Sequence, residues 1–171
     1  MTSDQAPTPT DLGPPNLALR VAAMIYESVL LFGIVFAAAF ALLTLTGWTY
    51  PLSDQRRWVL QAVLFVAVGG YFVYSWTRSG QTLAMKSWRQ QVLGPDGARL
   101  RPGRAVLRYL LAWHLFAPGL AFLALTQSHS AVDGIALLAG FAAMLALVYT
   151  DPQRQLLHDR LLGTRVVKLS G

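Results

Sequence analysis

Tyr109–Val132, YLLAWHLFAPGLAFLALTQSHSAV, runs for 24 residues between Arg108 and Asp133 without one formal charge. A hydrocarbon core of roughly 30 Å is crossed by about 20 apolar helical residues, with about 17 as the lower limit. The stretch therefore reads as a transmembrane helix. Three more charge-free windows lie along the chain, at 28–53 (26 residues), 58–77 (20) and 134–150 (17). Together they predict four transmembrane helices, of which the last is the shortest. Composition points the same way, because 54% hydrophobic and 13% charged residues depart far from the roughly 25% charged of soluble domains. One four-helix bundle uses most of the 171 residues and leaves too little chain for a second domain. Cysteine is absent, which excludes disulfides, thiol nucleophiles and Cys-based metal sites.

The basic residues cluster in two segments. Arg78, Lys86, Arg89, Arg99, Arg101 and Arg104 lie between the second and third windows, and Arg154, Arg160, Arg165 and Lys168 follow the fourth. The positive-inside rule makes both segments cytoplasmic, and with them both termini. The third connection, about 127–133, has no Lys or Arg and suits the far side; the first, with Arg56 and Arg57, is a mild exception. This distribution explains the net charge of +6 more economically than nucleic-acid binding does. The expected partners are the lipid bilayer and its anionic headgroups.

Residues 1–16, rich in Pro, Thr and Ser, read as a disordered cytoplasmic tail. For the apolar segment after this tail a cleaved secretory signal is the competing reading, with small residues at Ala37–Ala41. Against it, no basic segment precedes Arg20, and Glu27 interrupts the apolar run. Helix one is expected from Asn16, a good N-cap after Pro14 and Pro15, to Thr46 before Gly47. Trp48, Tyr50 and Trp58 read as interfacial anchors at one membrane face, Tyr74 and Trp76 at the other. Helix three, starting near Arg104, contains Pro118-Gly119, which predicts a kink serving either as a hinge or as ordinary transmembrane geometry. Helix four carries Ala136/Gly140, Ala139/Ala143 and Ala142/Ala146 at four-residue spacing, a ridge for close packing within the bundle or across a homodimer.

The connection from 78 to 104 is longer than a turn requires. Thr82–Trp88 reads as a short interfacial helix with Leu83, Met85 and Trp88 on lipid. Gln90–Leu93, the turn Gly94-Pro95-Asp96-Gly97 and Ala98–Leu100 read as a hairpin, to which Thr164–Leu169 can add a strand. The expected fold is an all-α membrane protein of four transmembrane helices, with a small cytoplasmic β-hairpin or interfacial helix between helices two and three.

Charges inside apolar helices need explanation, since one at mid-bilayer costs about 2.5–3.5 kcal/mol on insertion scales. Glu27 is the main case. Arg20 lies two helical turns earlier, on the same face, at a rise of roughly 10.5 Å. His114 reaches a depth comparable to that of Glu27. A Glu27–His114 contact is therefore one expectation, acting as a proton-exchanging pair or as a plain hydrogen bond; no contact is the other.

The segment His158-Asp159-Arg160-Leu161-Leu162-Gly163-Thr164, with Arg20 at the start of helix one, resembles the RDD family of small multi-pass membrane proteins, named for one arginine and two aspartates. Arg20 matches the arginine and Asp159 the second aspartate, while Glu27 stands at the first aspartate position. Gly80-Gln81-Thr82-Leu83-Ala84-Met85-Lys86-Ser87-Trp88-Arg89 also looks like the family's glycine-led segment after its second helix. The resemblance covers about 17–169 as one transmembrane domain. It implies a bacterial inner-membrane location and, as the usual suggestion, transport of ions or small ligands.

Arg20, Glu27, Asp159 and His114 are thus the candidates for an ion or proton site. In a functional version Glu27 binds the cation or proton, and Arg20 with Asp159 tunes it. In a structural version Asp159 bridges Arg20 or Arg108 and pins the C-terminal segment. A third version makes Arg20, Arg104 and Arg108 a dock for anionic headgroups; His158 and Arg160 belong with these structural or headgroup candidates. No enzyme is expected, and no cofactor: there is no His-Glu-x-x-His helix, Gly-x-Ser-x-Gly elbow or P-loop, and His114, His129 and His158 lack metal-ligand spacing. Two classes survive, a transporter, for which so thin a bundle calls for a homo-oligomer, and a membrane scaffold using its basic loop.

Overall fold

The computed structural model describes residues 14–126, 131–150 and 155–169. The first thirteen residues of the expected tail, His129 in the third connection and Arg154 lie outside them. Helix α1, Leu17–Thr46, starts where Asn16 Oδ1 accepts the Leu19 N–H at 2.9 Å and stops at Gly47, whose φ of 65° is left-handed. Helix α2, Asp54–Arg78, packs along α1, and the Arg56 guanidinium stands 5.3 Å over the Trp48 ring at the connection between them.

The third crossing is broken. Helix α4, Pro102–Ala112, passes through a 3-10 turn at Trp113–Phe116 into α5, Ala117–Thr126. Pro118 explains the break. In a continuous α-helix its N–H would have served the His114 carbonyl, and proline has none. The Ala117 N–H takes that carbonyl instead, which tightens the turn. Helix α6, Ala131–Ala146, returns against α5 and ends in a second 3-10 turn, Leu147–Thr150. A Cβ on Gly140 would lie 2.6 Å from the Gly119 nitrogen, and one on Gly119 2.7 Å from the Leu137 Cα. The small-residue ridge is therefore used inside the chain, where two glycines let the backbones nearly touch.

Among the described residues, four helices are long and apolar enough to cross a membrane: Leu17–Thr46, Asp54–Arg78, Pro102–Phe122 and Val132–Tyr149. Their apolar side chains face outward. Phe32, Phe36 and Phe40, stacked along α1 with ring centroids 6.4 and 6.3 Å apart, are 72%, 63% and 64% exposed. Such a continuous aromatic stripe suits lipid and is rare against water.

A small cap closes one end of the bundle. It consists of α3, Leu83–Ser87, strand β1, Gln90–Leu93, helix α7, Leu157–Leu162, and strand β2, Arg165–Lys168. β1 and β2 pair antiparallel, Gln90 opposite Lys168 and Leu93 opposite Arg165. The 94–97 turn forms, with the Gly94 N–H donating to the Ala98 carbonyl at 2.8 Å. Ala98–Leu100, however, makes no strand, and the partner of β1 comes from the C-terminal segment. Arg99 is drawn off to the Arg78 carbonyl at 2.7 Å, Leu100 is buried, and α4 begins two residues later.

The cap's apolar core is Met85, Val92, Leu100 and Val166, packed on Trp76, Ala105 and Tyr109 from the helix ends. This corrects two expectations. Met85 does not touch lipid, and Trp76, 5% exposed, is no headgroup anchor. Leu83, Trp88 and Tyr74 are exposed as anticipated. Met85 and Trp76 share one apolar core with Val92, Leu100 and Val166, and burial of that shared surface turns them inward.

Candidate functional site

Three polar knots hold the cap to the helices. In the first, the buried face of α1 carries Arg20, Ala23 and Glu27, at intervals of three and four residues. Glu27 is 8% exposed. Its Oε1 accepts the Tyr71 hydroxyl of α2 at 2.5 Å, and its Oε2 accepts the hydroxyl of Thr82. Thr82 also accepts the Met85 N–H at 3.2 Å as the cap of α3, and the Tyr71 oxygen accepts the Leu83 N–H at 3.3 Å. Both carboxylate oxygens are thus satisfied by donors that are themselves fixed, as a carboxylate removed from water requires.

His114 is elsewhere. Its Nδ1 is 2.5 Å from the Leu111 carbonyl, and its ring meets His158 edge-on with centroids 5.4 Å apart. The Glu27–His114 pair does not form, because the 3-10 turn that holds His114 rotates it toward α7.

The second knot centres on Asp159, which is fully buried in α7. Its Oδ1 accepts Arg108 Nε at 2.9 Å and the Thr164 hydroxyl at 2.8 Å, while His158 Nε2 stands 3.6 Å from Oδ2. The Arg108 guanidinium also lies 4.3 Å over the Trp76 ring. Burial alone would raise the Asp159 pKa, but the Arg108 charge, with His158 and the hydrogen bonds from Thr164 and Arg108, holds it below the usual carboxylate range. Burial pushes the His158 pKa down to about 4; Asp159 opposes that shift, and Arg108, His114 and Arg20 reinforce it. The geometry needs Gly163, whose φ of 62° ends α7 and turns Thr164 back so that its N–H donates to the Asp159 carbonyl at 2.9 Å.

The third knot joins the start of α1 to the sheet. Arg20 Nη2 donates to Gln155 Oε1 at 3.4 Å, and the same oxygen accepts the Val166 N–H at 3.2 Å. Gln90 Nε2 donates to the Leu19 carbonyl at 2.8 Å. Arg20 is 3% exposed and Arg108 6%.

These placements reorder the candidates. Arg20 and Arg108 are inside the protein, so neither can dock headgroups, and His158 is buried with them. Arg108 takes Asp159, whereas Arg20 turns to Gln155. Arg104 is half-buried and Arg160 exposed. Tyr71, Thr82, Gln155 and Thr164 escaped sequence reasoning. Thr82 and Thr164 did lie within the two recognisable segments, but a tyrosine in a charge-free window and a glutamine beyond the last helix carry no signal until the chain is folded.

Four apolar crossings, outward aromatic rings and buried ionic groups gathered at one end define a multi-pass integral membrane protein. The chain belongs to the RDD family, whose profile matches residues 14–163. No curated protein and no solved structure matches it.

Proposed function

We propose that this protein moves protons or a monovalent cation across a bacterial inner membrane, with Glu27 as the exchangeable site and both termini in the cytoplasm. The observation that carries the reading is the Glu27 knot. A carboxylate within a membrane-crossing helix is joined by two hydroxyls, from Tyr71 and Thr82, on both of its oxygens. Hydroxyl and carboxylate oxygens are hard donors suited to a small cation. When a proton or cation arrives, the hydroxyl hydrogens turn away and the same oxygens become ligands; when it leaves, they donate again to the carboxylate. The Asp159–Arg108 pair then serves to hold the cap against the bundle beside this site. Four helices make a thin wall, so the conducting form is a homo-oligomer. No covalent chemistry is assigned to the protein.

The test is proton and sodium flux in proteoliposomes containing wild type or Glu27→Gln, the variant first matched to wild type in thermal stability. Flux that disappears in the variant supports transport through Glu27. Flux unchanged by the substitution, or none with wild type, refutes it. A second reading, a scaffold that presents its cap to another protein, is favoured by the number of buried polar groups spent on fixing β1 and β2. In that case loss of function maps to residues 86–104 and leaves Glu27→Gln active.

A further inference from the structure

We infer that the cleft between the start of α4 and helix α7 is a binding site for one anionic phospholipid of the leaflet on the side of the cap. The cleft is a shallow, open depression of about 510 Å³ lined by Arg101, Gly103, Arg104, Leu107, Leu161 and Leu162. Its charged and apolar linings are separated along α4. Arg101 is the N-cap of the third crossing, Arg104 lies in its first turn, and Leu107 follows roughly 9 Å beyond Arg101 along the helix at 1.5 Å per residue. Leu107 is 46% and Leu161 65% exposed, and together with Leu162 they give the cleft apolar walls beside the two cations. Along α4 positive charge comes first and leucine after it, the order in which a phospholipid presents phosphate and acyl chain.

The charges are available for such a ligand. Among the described residues neither Arg101 nor Arg104 meets a carboxylate within ion-pair range; Asp159, the acid in the neighbouring helix, is already spent on Arg108. Arg101 is exposed and Arg104 half-buried, in contrast to the two buried arginines of the polar knots. A soluble phosphate would leave the leucine walls facing water or unrelated lipid, while a lipid satisfies both parts of the cleft at once. The inference is independent of transport, since Glu27 takes no part in the cleft.

The experiment counts bound lipids by native mass spectrometry on protein in neutral detergent titrated with phosphatidylglycerol or phosphatidylcholine. Two arginines near a headgroup give an expected preference for phosphatidylglycerol of about thirtyfold. Arg101→Gln/Arg104→Gln should bring the two lipids close to parity, whereas Arg56→Gln/Arg57→Gln should leave the preference intact. Leu161→Asn should weaken both lipids alike. The single Arg101→Gln variant, at an exposed side chain, keeps the test valid should the double variant unfold, and should lose about half of the logarithmic preference. Preference surviving these arginine substitutions overturns the inference. So does equal displacement of phosphatidylglycerol by chain-free glycerol phosphate, which would identify a soluble-phosphate site.

Discussion

Asp159→Asn strips the charge from a carboxylate that is fully buried and accepts Arg108 Nε at 2.9 Å and the Thr164 hydroxyl at 2.8 Å. Asparagine nearly preserves shape and one acceptor, so the loss is chiefly electrostatic. Arg108 would remain 6% exposed with no anion against it. Removing one partner of a buried ion pair costs about 3–5 kcal/mol. The Trp76 ring, 4.3 Å from the guanidinium, retains part of the stabilisation, at roughly 2 kcal/mol for a desolvated cation–π contact, which places the expected cost near the lower end, about 3 kcal/mol. In an Arg108→Met background no cation is stranded and Asp159 is instead the unpaired buried charge, so the same substitution relieves it and should be neutral or stabilising. The coupling between the two sites is then about 3 kcal/mol or more. Equilibrium unfolding in mixed micelles with increasing dodecyl sulfate, followed by tryptophan fluorescence, measures all four corners of the cycle. Hydrogen exchange should show protection lost first at β2, because α7 and Thr164 are released together. A cost for Asp159→Asn below about 1 kcal/mol, or equal costs in both backgrounds, would falsify the account of this pair as the clamp on the C-terminal segment.

His158 sets a second test. Its folded pKa of about 4 lies below the free value of 6.5, so between those values the unfolded chain takes up a proton that the native state refuses. Its contribution is complete above pH 6.5 and falls as pH drops to 4, by roughly 3 kcal/mol; His158→Gln should flatten the stability profile over that window, and an unchanged slope would exclude His158 as its source. Asp159, shifted down, keeps its own contribution until pH falls below the ordinary carboxylate range. Gly140→Val should cost about 1–3 kcal/mol or more by forcing α5 from α6, because even a Cβ would sit 2.6 Å from Gly119 nitrogen; a thermal midpoint equal to wild type would show that this approach is not tight. Thr82→Val removes both a donor to Glu27 and the cap on Met85 N–H. Its expected cost is about 2–3 kcal/mol, against no more than about 1 for the exposed Ser87→Ala, measured by the same unfolding titration.

Much of the architecture was legible in local patterns. The end points of α1 followed from Asn16 and Gly47, and the broken third crossing from Pro118, because capping and loss of an N–H are decided within one helical turn. Strand β1 was legible too, as was the 94–97 turn. Its partner was harder, since two apolar segments, 98–100 and 165–168, competed for one edge. The competition was settled by Arg99, Leu100 and the start of α4, which together carry the chain away from β1. Similarly, Arg20, Glu27, Arg108 and Asp159 stood out as charges beside apolar runs, yet their pairing did not. Helix rotation and the turn at 113–116 send His114 to His158 and leave Glu27 to Tyr71 and Thr82.

The amino-acid order alone determined that the chain enters a membrane, how many times it has the length to cross, and which charges have to be sheltered. Long charge-free runs cannot be reconciled with water, and an isolated charge cannot be reconciled with lipid, wherever else the chain goes. Tertiary structure decided which donor shelters which acid, which arginines are consumed inside and which face the cleft, and that Met85 and Trp76 belong to a core and not to lipid. Those outcomes depend on distances of about 3 Å between residues far apart in sequence, and the rotation of each helix about its axis is set only when all of them pack together.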